Sequence, residues 1–230
     1  MCVCVFICEH RYLDRVADKV EAMGGIKYLV VTGENNAEGH EKWKKRFPGM
    51  IRIIHRNDIT GYTQMMEEKL SDEGPWSLVV PEESGPKTGY VTGETARFDF
   101  NPEDATATGD PSVTLVYLPG QTVGSLGVLY SPTGEKGSEG KRVTALFSGG
   151  SVGFSLEDQR LDGFSKNPLG LGEQAASLRR LTKEDFQCIL PGWGAPMQFS
   201  SADEKVSMLM EAADVLQESA TGMPSLDELL

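Results

Sequence analysis

The chain has 230 residues, of which 39% are hydrophobic and 24% are charged, an ordinary composition for a soluble globular protein. Its formal net charge of -12 argues against binding to nucleic acid or to an anionic membrane surface, since both need basic patches. No stretch approaches the roughly 20 apolar residues that span a bilayer, and the N-terminus has no signal-peptide pattern. We therefore expect a cytoplasmic protein, or an organellar one if an N-terminal segment is missing.

The first part of the chain alternates between apolar strands and helices. Residues 2–8 form a continuous apolar run typical of a buried strand, residues 11–25 carry apolar side chains at helical spacing, and "IKYLVVTG" is a second strand. "AEGHEKWKKRF" predicts a short helix and "MIRIIH" a third strand. This pattern repeats a strand-helix-strand unit, so we expect these strands to run parallel.

From about residue 77 the pattern changes to short strands separated by turn-rich loops. The predicted strands are "WSLVV", "ARFDF", "SVTLVYL", "GSLGVLY" and "RVTALF". A helix "LGEQAASLRRL", a strand "FQCILPG" and a helix that begins near Ser201 complete the fold. We predict one domain over residues 1–218, built from mixed sheets covered by helices, and a C-terminal tail over residues 219–230.

Three of the four cysteines lie together in the first predicted strand, at Cys2, Cys4 and Cys8. Cys2 and Cys4 share one face of that strand, and no second Cys/His pair follows to complete four metal ligands. These cysteines are more typical of small apolar residues in a buried strand than of a metal site.

Four glycine-containing loops follow apolar strands: "VVTGENNAEGH", "LPGQT", "LFSGGS" and "LPGWG". In this order and at these distances they resemble the metal-binding loops of the metallo-β-lactamase fold. The resemblance covers residues 3 to 200 and implies an αββα sandwich, an α/β fold of mixed sheets flanked by helices. Members of this fold are zinc-dependent hydrolases and related oxidoreductases. They usually have several strands before the one at residues 2–8. We expect this sequence to lack those strands, so either the chain has a self-associating edge or the sequence is a fragment of a longer product.

The loop frames match the family, but the metal ligands of the family are replaced. The positions that the resemblance identifies as former metal positions are Gly33, Asn35, Gly39, His40, Gln121, Gly150 and Trp193. Only His40 keeps a ligand residue, and Gly150 stands where an aspartate would bridge two metals. Zinc needs at least three nitrogen, sulfur or carboxylate ligands. The other two histidines, His10 and His55, are more typical of polar residues at strand ends, so we expect no zinc and no other cofactor.

The resemblance and the lost ligands together predict a degenerate member of the fold without zinc-dependent hydrolase activity, a pseudoenzyme. We expect a binding or scaffold role in the old pocket, lined by Gln121, Trp193, Asn35 and Glu34. The partner would be an unknown small molecule or a protein. Because the missing strands would leave a sheet edge unpaired, a homo-oligomer formed through that edge is a further expectation.

The alternative is an active metallo-β-lactamase-like hydrolase of esters or thioesters with an atypical or metal-free site. "GGSVG" at residues 149–153 matches the G-x-S-x-G pattern of a nucleophile elbow, which makes Ser151 the candidate nucleophile. That motif requires a strand, a sharp turn and a helix, with a histidine later in the chain. No histidine follows His55.

Overall fold

A computed structural model describes residues 5–7, 12–63, 78–80, 90–91, 97–99, 113–131, 143–163 and 168–222. Within these residues the strands form a four-stranded sheet, a seven-stranded sheet and a two-stranded hairpin. The predicted tail beyond residue 222, His10 and the N-terminal cysteines lie outside the described residues. None of the described helices is both long and apolar enough to cross a membrane.

The first sheet is built from repeated strand-helix-strand units. Its elements are β1 (Val5–Ile7), α1 (Asp14–Ala22), β2 (Tyr28–Val30), α2 (His40–Arg46), β3 (Ile51–His55) and β4 (Leu78–Val80). The strand order is β1-β2-β3-β4, and each neighbouring pair runs parallel, which confirms the predicted repeat. Single 3-10 turns, Glu34–Asn36 and Arg56–Asp58, follow β2 and β3. β1 pairs only with β2 among the described strands, and self-association through this edge stays a prediction.

The second sheet comes from the turn-rich part of the chain and its last strands. Its strands are β5 (Tyr90–Val91), β6 (Arg97–Asp99), β7 (Val113–Tyr117), β8 (Leu126–Tyr130), β9 (Ala145–Gly149), β12 (Cys188–Pro191) and β13 (Met197–Gln198). The order is β13-β12-β9-β8-β7-β6-β5, and only β9 and β12 pair in parallel. The hairpin β10 (Gly153–Ser155) and β11 (Arg160–Asp162) follows β9. The helices are α3 (Leu171–Leu181), after a 3-10 turn at Pro168–Gly170, and α4 (Ala202–Thr221).

The helices and sheets form four layers, and three apolar clusters lie between them. One cluster packs α1 and α2 on the first sheet and includes Ala17, Leu29, Trp43 and Ile54. The next lies between the two sheets and includes Val30, Ile53, Leu115 and Val128. The last packs α3 and α4 on the second sheet and includes Val116, Leu146, Leu178, Ile189, Leu209 and Ala213. Successive strand side chains point to opposite faces, so β2 and β3 contribute to two clusters each. The layers are helix, sheet, sheet and helix, as predicted.

Candidate functional site

The loops that the sequence singled out meet at one edge of the two sheets. β9 and β12 run parallel, and beyond their ends Gly192 N–H donates to Gly149 O at 2.9 Å. β7 has the same direction, because β8 is antiparallel to both β7 and β9. The loop after β2 joins them where Leu126 N–H donates to Thr32 O at 2.8 Å. We call residues 31–39, 118–125, 150–152 and 192–196 the loop cluster.

A buried carboxylate, Asp58, ties two of these loops to the end of β3. Its Oδ2 accepts hydrogen bonds from Glu34 N–H at 3.1 Å and from Thr122 Oγ1 at 2.7 Å. Its Oδ1 accepts one from Gly124 N–H at 2.8 Å. Asp58 is only 1% exposed, and burial raises its pKa although the three donors favour the charged form. With both oxygens engaged, this carboxylate positions the loops. The sequence analysis did not identify Asp58.

The Gln121 side chain lies directly over Gly150. A Cβ atom added at Gly150 would stand 2.1 Å from Gln121 Nε2 and 2.5 Å from Cδ, so the amide occupies the space that a side chain at 150 would need. Gln121 Oε1 is buried and makes no hydrogen bond. The hydrogen bond between Gly192 and Gly149 places the backbone of Trp193 next to this pair. Trp193 is 53% exposed. The structure thus brings three of the predicted positions to adjacent strand ends.

Gly33 and Asn35 also lie in the loop cluster. A Cβ atom at Gly33 would stand 3.2 Å from Thr122 Oγ1, so the first and second loops are in close contact there. Asn35 is exposed on the 3-10 turn after β2. The neighbouring Asn36 is buried and donates from Nδ2 to Thr32 Oγ1 at 2.9 Å. Hydrogen bonds within the loop therefore hold the segment that the family would use for its first ligands.

His40, the one retained ligand residue, faces a different part of the molecule. It is fully buried, and its Nδ1 lies 3.2 Å from an Arg52 guanidinium nitrogen. Arg52 shares the β3 face with Ile54, which packs against α1 and α2. The preceding Gly39 has a φ of 89° and lies against Tyr12. The structure therefore places His40 in the helix-covered layer of the first sheet, away from Gln121 at the end of the second sheet.

The surroundings of Ser151 differ from those of a nucleophile elbow. The strand β10 follows the turn, where the motif requires a helix. Ser151 is 1% exposed, and its hydroxyl donates weakly to Leu118 O at 3.4 Å. No basic side chain contacts this hydroxyl among the described residues. The motif match reflects the tight turn after β9, and Ser151 does not meet the structural requirements of a nucleophile elbow.

Polar side chains on one face of α3 donate hydrogen bonds to the second and third loops. Gln174 is fully buried and donates from Nε2 to Ser151 O at 2.7 Å, and Ser177 Oγ donates to Pro119 O at 2.7 Å. A Cβ atom at Gly120 would stand 2.3 Å from Gln174 Cβ and 2.5 Å from its Cα. The helix was predicted from the sequence, but its specific pairing with Gly120 could not be seen there.

His55 closes β3 beside this site and has a structural role, as the sequence predicted. Its ring stacks on Tyr117 with centroids 4.6 Å apart and an interplanar angle of 12°. Its Nδ1 accepts a hydrogen bond from Asn57 N–H at 3.2 Å. The ring is 2% exposed, and burial lowers its pKa from 6.5 to about 4. His55 is therefore neutral at pH 7.

This lowered pKa predicts a loss of stability in mild acid. Between pH 6.5 and pH 4 the unfolded state binds a proton at His55 that the folded state does not, so the free energy of unfolding falls as the pH falls. We expect His55 to contribute roughly 1–3 kcal/mol of this fall. Urea unfolding of the wild type and of His55→Phe, which keeps the ring stack, measures it. Equal pH dependence of the two proteins would contradict the prediction.

The residues at the former metal positions do not fit a zinc centre of the family type. In the part of the chain that the structure describes, no three His, Cys, Asp or Glu side chains form a group that could hold a metal ion. At Gln121, Gly150 and Trp193 the chain offers an amide, no side chain and an indole, while zinc prefers imidazole, thiolate and carboxylate ligands. The buried carboxylate Asp58 is already engaged, because its oxygens accept three hydrogen bonds from the loops.

Comparison with known proteins shows the fold of the chain. No family model and no curated protein matches its sequence. Among solved structures, a metallo-β-lactamase from Staphylococcus aureus subsp. aureus COL matches with a TM-score of 0.55 and 15% identity, over 96% of this chain and 60% of that one. MEM-A1, a subclass B3 metallo-β-lactamase from a soil metagenome library, matches with a TM-score of 0.54 and 12% identity, over 94% and 85% of the two chains. The chain therefore has the metallo-β-lactamase fold, as the loop frames predicted.

Proposed function

We propose that this metallo-β-lactamase-fold protein uses the loop cluster as a binding site and does not carry out zinc-dependent hydrolysis. The observation that carries the proposal is the packing of Gln121 over Gly150. In the family these positions hold a histidine ligand and the bridging aspartate. Here an amide side chain fills the space of both.

The chemistry of these residues supports the proposal. A glutamine amide is neutral, so it is a poor zinc ligand and cannot act as a general base. Glycine has no side-chain donor, and the indole of Trp193 is a hydrogen-bond donor without an acceptor. A site with these groups can still contact a ligand through Gln121 and through the exposed face of Trp193. Binding without metal chemistry is the function that this set of side chains supports best.

Metal analysis of the purified full chain tests the proposal. After dialysis without chelator, we expect the wild type to retain far less than about one zinc or iron ion per chain, because three ligands of the right type are lacking. Retention of about two tightly held ions per chain would overturn the proposal.

A rebuilt site tests whether the former metal positions converge. The triple variant Gln121→His, Gly150→Asp, Trp193→His supplies three zinc-type ligands, and we expect it to bind about one zinc ion per chain. The single variants Gln121→His and Trp193→His are matched controls and should bind no more zinc than the wild type. A folded triple variant that gains no zinc would show that these three positions do not meet in a ligand geometry.

A further inference from the structure

Lys205, near the start of α4, is a buried lysine. It is only 5% exposed, although lysine side chains are almost never fully buried unless they are paired. Its Nζ donates a hydrogen bond to the backbone oxygen of Glu184 and lies 4.7 Å from the centre of the Phe186 ring. Both of these groups are neutral, and among the described residues no carboxylate forms an ion pair with Lys205. In this part of the chain the amine is therefore buried without a counter-ion.

The surroundings of Lys205 favour the neutral amine. Burial lowers the pKa of Lys205, although the carboxylates of Asp185 and Glu184 favour the charged form. Another carboxylate close in the sequence, Glu204, is held by Ser200, whose Oγ donates to it at 2.7 Å. At pH 7 a larger fraction of Lys205 is therefore neutral than of an exposed lysine. A neutral amine has a free lone pair, which makes desolvated lysines good nucleophiles.

Lys205 and Phe186 line a cavity of about 150 Å³. Its wall is completed by the loop before β12 and by the turn between β13 and α4, at Asp185, Gln187 and residues 199–202. A cavity of this volume holds a molecule of about the size of benzene. It lies at the start of β12, whereas the loop cluster follows the end of that strand. The cavity is therefore separate from the candidate site described above.

We propose that Lys205 is a nucleophilic amine that forms a Schiff base with a small aldehyde bound in this cavity. The proposal goes beyond the binding role of the loop cluster and does not depend on it. The lone pair of the amine adds to the carbonyl carbon of the aldehyde. The two amine protons then leave with the carbonyl oxygen as water, and a C=N bond replaces the C=O bond.

The chemistry around Lys205 favours an aldehyde over an anion as the ligand. A neutral amine adds to a carbonyl group but forms no ion pair with a carboxylate or a phosphate. The rings of Phe186 and Phe199 contact each other edge to face, with centroids 6.1 Å apart, and give the cavity an apolar surface for a short alkyl chain. The described segments 183–187 and 199–205 also carry more carboxylates than amines, at Glu184, Asp185, Asp203 and Glu204 against Lys183 and Lys205.

Reductive trapping with propanal tests the proposal. The full chain is incubated with propanal and sodium cyanoborohydride at pH 7, and peptide mass spectrometry follows the alkylation of each lysine over time. We expect Lys205 to be alkylated at least about tenfold faster than Lys42, an exposed lysine on α2. Equal or slower alkylation of Lys205 would overturn the proposal.

A bulky aldehyde tests the role of the cavity. Naphthaldehyde is larger than the cavity admits, so the ratio of Lys205 to Lys42 alkylation should fall at least about tenfold when it replaces propanal. An unchanged ratio would show that reagents reach Lys205 without entering the cavity, and it would contradict the proposed binding site.

Matched variants of α4 locate the reactive site. Ala202→Phe adds a ring to the cavity wall, and Val206→Phe adds one on the same helix at a position that is 38% exposed and outside the wall. We expect Ala202→Phe to slow the alkylation of Lys205 by propanal about tenfold and Val206→Phe to leave it within about twofold, with Lys42 unchanged in both. Equal rates at Lys205 in the two variants would overturn the proposal. Circular dichroism checks their folding, and the wild-type rates decide the proposal where a variant does not fold.

Discussion

Gly120→Ala lowers the free energy of unfolding by about 3–5 kcal/mol, the largest effect that we expect from a single methyl group in this chain. The added carbon would stand 2.3 to 2.6 Å from the Cβ, Cα and N atoms of Gln174. Those atoms belong to the body of α3 and cannot rotate away. Gly120 also has a φ of 139°, a conformation that alanine rarely adopts. Urea unfolding followed by circular dichroism measures the loss.

Gly150→Ala is the matched control for this prediction. Its added carbon would approach Gln121 even more closely, at 2.1 Å, but the atoms that it meets are the far end of a flexible side chain. Gln121 is half-buried and makes no side-chain hydrogen bond, so it can rotate toward solvent. We expect a loss below about 1 kcal/mol. Similar losses for the two variants would contradict the view that α3 is the rigid partner of the second loop.

Asp58→Ala lowers the free energy of unfolding by about 3–5 kcal/mol, because it removes the acceptor that three buried or part-buried donors share. Those donors are Glu34 N–H, Thr122 Oγ1 and Gly124 N–H. The same change at the exposed Asp203 should stay within about 0.5 kcal/mol. Amide hydrogen exchange adds a local readout, since the protection of the Glu34 and Gly124 amides should fall most. Unchanged protection at both amides would show that Asp58 does not hold these loops.

The four layers of the fold could be predicted from the sequence because their signals are local. Parallel strands followed from the alternation of apolar runs and helices before residue 60. Of the short runs after residue 77, most form antiparallel pairs, but β4 joins the first sheet in parallel with β3, and β12 pairs in parallel with β9. α3 matches the predicted span, and α4 begins next to Ser201 as predicted, where Ser201 Oγ accepts a hydrogen bond from Glu204 N–H at 3.1 Å.

The candidate site could be predicted only where the family frame marks it. The structure packs Gln121 over Gly150 and joins the backbone next to Trp193 to Gly149, whereas His40 turns toward Arg52 because α2 lies on the helix-covered face of the first sheet. Asp58 and its partner Gly124 are 66 residues apart, and no local pattern connects them. The β10–β11 hairpin was also missed, since "FSLEDQRLDGF" lacks a strong strand alternation.

The contact between Gln121 and Gly150 determines which substitutions this chain can accept one at a time. A new side chain at 150 meets an amide that can rotate away, so an aspartate can enter there before anything changes at 121. A histidine at 121 can enter first as well, since the neighbouring glycine leaves room for it. Either mutational route toward a metal-binding site avoids a badly folded intermediate. At position 120 the body of α3 closes such a route, which is a physical reason for the Pro-Gly frame to stay the same when the residues beside it change.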